Sequence, residues 1–171
     1  MAEWFRIEAL VDLAVAPPGS VDLAPVEGRR LAMEAREALD ALSSRRDAEV
    51  KRALSLVLNA VTALEREMEV LQRRWMLQKH GVHLEPHRVR IGADGLVTRK
   101  ALALTGPALV HLGLNMRGQQ HLLSLNAEVS VDGLRVDFLD PEPFDRDTLV
   151  AFTFEQERRE RRRELGAVDP G

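Results

Sequence analysis

Three histidines, His80, His83 and His87, stand at steps of three and four. On one helical turn such spacing can bring imidazoles to a single metal ion. Here Gly81 and Pro86 interrupt any helix through them, and Glu85 is the only further ligand close by. No metal site is expected, and the three rings read as solvated. His111 and His121 fall in a strand and a turn of the surrounding pattern and are expected to be exposed. Asp94 and Asp137 are the acids one would try to pair, yet no spacing selects them for acid–base work. A Walker phosphate loop, a nucleophile elbow and a dinucleotide fingerprint are all missing from the sequence. Neither an enzyme nor a cofactor is expected.

The run Arg158-Arg159-Glu160-Arg161-Arg162-Arg163 has the charge to meet phosphate. Glu155, Glu157, Glu160 and Glu164 interleave it, and Glu155 with Arg159 and Glu157 with Arg161 have the spacing of helix ion pairs. A solvated helix or a docking surface is the reading preferred, with a nucleic-acid-binding oligomer kept as the option from another class. Composition supports that order. The net charge of -3 gives no global attraction for nucleic acid or anionic membrane, and 4% aromatics with no Tyr leave little to stack on bases. The absence of Cys removes disulfides, thiolate metal sites and cysteine catalysis. No apolar run has the length of a membrane span, and Met1-Ala2-Glu3-Trp4 lacks the basic start of a signal peptide. A cytoplasmic protein is expected.

The elements that must carry these residues follow from the apolar periods. Val50, Leu54, Val57, Val61, Leu64, Met68, Leu71 and Trp75 succeed one another at alternating steps of four and three. That repeat keeps one seam facing a partner helix in a left-handed supercoil, with Leu54, Val61, Met68 and Trp75 at a and the others at d. A second stripe, Leu56, Ala60, Ala63, Val70 and Leu77, lies where a two-stranded coil stays polar. Two seams on one helix favour a shared bundle larger than a dimer over a helix packed only on its own domain. Ahead of it, Leu31, Ala35, Leu39 and Leu42 predict a shorter helix from Glu27. Ser43-Ser44 breaks the two into a hairpin or a bent rod.

The rest alternates with period two. Phe5 to Val15 predicts a half-buried strand, ended by Pro17-Pro18-Gly19-Ser20. After Gly81, which can cap the long helix, short alternating runs recur: Val89 and Ile91, Leu96 to Thr98, Val110 to Met116, Leu123 to Val131, and Leu134 to Phe138. Asp132-Gly133 predicts a type I′ hairpin turn. Asp145 is the expected N-cap of a closing helix. Such spacing of strands and turns predicts an antiparallel sheet that curls into a barrel.

From Arg88 onward the arrangement resembles the PilZ domain, a small antiparallel β-barrel of bacterial cyclic di-GMP signalling. The turn Ile91-Gly92-Ala93-Asp94-Gly95-Leu96 sits where that family carries Asp/Asn-x-Ser-x-x-Gly. Leu134 to Phe138 and the helix from Arg146 look like its last strand and closing helix. Helices inserted after the first strand are similar to the coiled-coil, tetrameric PilZ subgroup. The resemblance implies an α+β fold: a six-stranded antiparallel barrel with inserted heptad-repeat helices and a C-terminal helix. The domain boundaries expected are a strand and Pro-rich connection at 1–26, the helical hairpin at 27–80, and the barrel with its helix at 81–171.

The departures shape the functional expectation. Counting back from Gly95, the family's Ser falls on Gly92 and its Asp/Asn on Arg90. The family's Arg-x-x-x-Arg, which grips guanine and phosphate bidentately, has no match ahead of Arg88. Arg90, Gly92 and Gly95 are thus a degenerate motif. The resemblance implies a non-catalytic adaptor in cyclic di-GMP-linked processes, self-assembled as a tetramer and acting on a signalling protein, without nucleotide binding of its own. The alternative is a cyclic di-GMP receptor with a divergent site that uses Arg88, Arg90 or the tail arginines.

Overall fold

The computed structural model describes residues 7–21, 34, 37 and 48–166. Phe5 and, apart from Glu34 and Glu37, the expected helix from Glu27 to Leu42 lie outside them. Two compact units divide the chain: Met1–Asp22 with Leu77–Gly171, and Leu23–Met76.

The first unit holds six strands, β1 (Ile7–Ala16), β2 (Glu85–Ile91), β3 (Gly95–Thr98), β4 (Gly106–Met116), β5 (Gln119–Val129) and β6 (Arg135–Phe138). They close in the order β1-β2-β3-β6-β5-β4, every pair antiparallel. This is the expected α+β fold, a six-stranded barrel with a closing helix. Closure leaves no edge strand to recruit other chains. The alternation that predicted the strands also fills the interior: Val11, Leu13, Ile91, Leu96, Val110, Leu112, Leu114, Leu123 and Val136 are all buried in one cluster. Helix α2 (Pro143–Gly166) adds Leu149 and Phe152, both wholly buried, to that same cluster. Burial of each stabilises the barrel by about 1.5–3 kcal/mol. The second unit contributes most of helix α1 (Ala48–Lys79), unbroken over 32 residues and about 48 Å long.

Local chemistry sets the ends. Gly81, at φ 72°, closes α1 through a left-handed cap in which the Val82 N–H donates to the Leu77 carbonyl and the Gly81 N–H to that of Gln78. Helix α2 begins two residues before the expected Asp145. Pro143 opens it, because its missing N–H is free of cost in a first turn, and the Arg146 N–H already donates to the Glu142 carbonyl.

The turns exchange roles as well. A type I′ turn needs positive φ at both central residues, and Asp132 lacks it; only Gly133 (φ 69°) has it. The β5–β6 connection is instead a wider loop, closed by the Ser130 N–H donating to the Arg135 carbonyl and the Gly133 N–H to that of Ser130. Arg117-Gly118, at φ 50° and 78° between the partners Met116 and Gln119, is the two-residue turn of primed sign. Within the wider loop the Ser130 hydroxyl and then the Leu134 N–H donate to Asp132 and hold its carboxyl below the usual aspartate value. A lowered folded value stabilises the loop above the unfolded value, and that contribution is lost as pH falls through the folded one. The Leu134 amide signal in NMR should therefore titrate below the ordinary aspartate range; a midpoint at or above that range contradicts the contact.

Candidate functional site

Two surfaces stand out, one on each unit. On α1 the eight heptad residues Val50, Leu54, Val57, Val61, Leu64, Met68, Leu71 and Trp75 are all between 44% and 66% exposed. Apart from Leu77, the buried residues of this helix are polar: Glu69 and Arg73, one turn apart and joined at 3.0 Å. The second stripe divides. Leu56 and Ala60 are exposed, Ala63 and Val70 half-buried, and Leu77 wholly buried in the barrel unit. An apolar seam of this length left in water is the signature of an interaction surface.

The other surface begins on the strands. Val89 and Ile91 of β2 point into the core, so Arg88 and Arg90 are turned outward by the pleat. In register, Arg90 lies between Glu8 of β1 and Val97 of β3, and Arg88 lies beside Leu10. Helix α2, anchored by Phe152, runs its next turns along this face. Together they enclose a groove of about 490 Å³ lined by Arg88, Arg90, Arg99, Arg159 and Arg163, with Glu8 and Glu160. The Arg99 guanidinium donates to Glu8 at 2.9 Å. Arg159 donates to Glu155 at 2.5 Å, and the same carboxylate oxygen accepts the Arg117 N–H at 3.0 Å. Among the described residues Arg88, Arg90 and Arg163 have no carboxylate partner.

The degenerate motif has a structural use. The Gly92 N–H donates to the Gly95 carbonyl across the β2–β3 hairpin at 2.9 Å. Gly95 pairs with Asp137, and a Cβ there would meet the Val136 carbonyl oxygen at 2.3 Å. Close approach of β6 therefore accounts for this glycine without a ligand. Asp137, for its part, is held by Arg135 at 2.8 Å. A salt bridge also forms between Glu157 and Arg161 on the exposed side of α2.

His80, His83, His87 and Glu85 do line one cleft, of about 520 Å³. No three ligating side chains among the described residues stand close enough to hold one metal ion. His111 corrects its expectation: it is wholly buried in β4, its Nδ1 2.8 Å from the Ser124 hydroxyl of the neighbouring strand. The reason is that the part of the outer face of β1, β4 and β5 around it is buried too, with Ala14, Ala16 and Leu122 buried there beside it. His121 is half-buried and belongs to β5, since the chain turns earlier, at Arg117-Gly118. No helix among the described residues is long and apolar enough to cross a membrane.

No protein-family model matches this chain, and no curated protein does. Among solved structures it is similar to a pathogenic protein from Xanthomonas campestris, described as a tetrameric PilZ domain self-assembled via a helical bundle. The two share 17% identity over 94% of this chain and 92% of that one, with a TM-score of 0.50. The fold is accordingly PilZ-like.

Proposed function

We propose that this chain is a non-catalytic, PilZ-like adaptor that assembles through its helices, as a tetramer, and acts on a signalling protein in cyclic di-GMP-linked regulation. The observation that carries the reading is the seam on α1, apolar at all eight heptad positions and exposed at every one. The helical-bundle tetramer described for the similar Xanthomonas protein supports the same assembly here. We place the helical insertion at 27–80, between a first strand segment at 1–26 and the barrel at 81–171. Nucleotide binding by the chain itself is not part of this reading, because Arg90 and Gly92 stand where the family has an acid or amide and a hydroxyl, and Gly95 is required by β6. Calorimetric titration with cyclic di-GMP should show no binding at micromolar concentrations.

One observation favours a second reading. The groove gathers Arg88 and Arg90 with Arg159 and Arg163, guanidinium groups of the type that grips nucleotide phosphates. A cyclic di-GMP receptor with a divergent site would use them. A sub-micromolar dissociation constant, lost in Arg88→Ala, would establish that reading and end the first.

A further inference from the structure

We propose that the arginine-lined groove docks an acidic, extended segment of a partner protein that carries an apolar side chain among its carboxylates. The proposal rests on the adaptor reading and names the chemistry of its partner. Charge supplies the first argument. Five arginines face two glutamates in one concavity, on a chain whose net charge is -3. Arg99 and Arg159 are engaged by Glu8 and Glu155, which leaves Arg88, Arg90 and Arg163 to meet an occupant. Like charges gathered on one concave face repel one another, and an anion relieves that repulsion. Carboxylates suit guanidinium forks in a bidentate geometry.

The lining then selects among anions. Leu10 is 63% exposed beside Arg88, and Val97 is half-buried beside Arg90. A phosphate chain has nothing to lay on Leu10; a peptide has an apolar side chain. Glu8 and Glu160 share the groove and repel a chain of uniform negative charge, yet they can accept the backbone N–H groups of an extended peptide. Asn115 and Gln156 offer both donors and acceptors to such a backbone. Arg88 and Arg90 lie two residues apart on one face of β2, about 7 Å, the spacing of alternate side chains on an extended strand. A segment with acids at alternate positions and a leucine at the next matches that row.

Fluorescence anisotropy tests this on the full chain. The probe is a fluorescein-labelled dodecapeptide, Glu-Ser-Glu-Ser-Leu-Ser written twice. Binding should weaken about tenfold or more in Arg88→Ala with Arg163→Ala. It should be unchanged in Arg158→Ala with Arg162→Ala, which removes the same total charge from α2 outside the groove, and should weaken when the probe's leucines become serines. No binding, or equal loss in the two double variants, overturns the proposal. An oligothymidylate that displaces the probe at lower concentration overturns it in favour of nucleic acid. Cyclic di-GMP binding without probe binding overturns it in favour of the receptor reading. Light scattering on the same samples separates this proposal from its premise. An oligomer that ignores the probe sinks the groove and leaves the adaptor; a monomer that binds the probe does the reverse.

Discussion

Leu64→Asp combined with Leu71→Asp should convert an assembly of about 77 kDa, four times the 19.2 kDa chain, into monomers. Both leucines sit at d positions in the middle of the seam, 61% and 66% exposed in the single chain. Once buried between helices, each would contribute about 2–5 kcal/mol on truncation alone, cavity included. Aspartate adds the desolvation of an unpaired carboxylate in an apolar seam, a further cost of several kcal/mol. Because the leucines are exposed in the isolated chain, the same substitutions remove little from the barrel unit, whose thermal transition should persist. Arg52→Asp, off the seam and exposed, controls for added negative charge. Light scattering reads the outcome. A monomeric wild type sinks the assembly outright, and a stable dimer would limit it to a single seam.

Gly95→Ala should destabilise the barrel by about 3 kcal/mol, at the upper end of what overpacking costs. The offending contact is backbone: the new Cβ would lie 2.3 Å from the Val136 carbonyl oxygen and 3.2 Å from the Asp137 Cα. No side-chain rotation relieves it, so β6 must move away from β3, loosening the pairs Leu96 with Val136 and Val97 with Arg135. Chemical denaturation gives the number. If the variant unfolds at the wild-type midpoint, the close approach of β6 is wrong and Gly95 loses its structural explanation.

The barrel was readable because period-two alternation in Val110 to Met116 and Leu123 to Val131 is a direct imprint of a surface half in contact with a core. The seam was readable only as a stripe at a different period on α1; the contact that would cover it belongs to the assembly proposed above. His111 was not. Alternation assigns one face to solvent, and burial of the second face comes from chain that packs over the sheet later, which no local period records. Small outward residues along it, Ala14, Ala16 and Gly113, were the available signal. Asp132-Gly133 misled because Asp-Gly carries a strong preference for the primed two-residue turn, while the strand register decides which dipeptide has two residues to span. The groove was out of reach. Arg88, Arg99 and Arg163 meet only because β2 pairs with β3 and Phe152 seats α2 on the barrel; no spacing in the sequence links them. Leu10 and Glu8 were legible as outward strand positions, but nothing in their surroundings marked them as part of a site.

The placement of β1 has a kinetic meaning. Its partners on both sides, β2 and β4, lie beyond the whole helical insertion. Closing so long a loop adds little to the equilibrium cost, since each doubling of length takes only about 0.6 kcal/mol. Rate is another matter, because non-local pairing slows folding steeply. The β4–β5 hairpin forms around its two-residue turn, and Ile91 of β2 meets Leu96 of β3 across four residues, both within reach of a short search. β1, first of the strands in the chain, has the longest search to its partners and is expected to dock last. Until it arrives, β2 and β4 each present an open edge, and the barrel spends the slowest stage of its folding as an incomplete sheet.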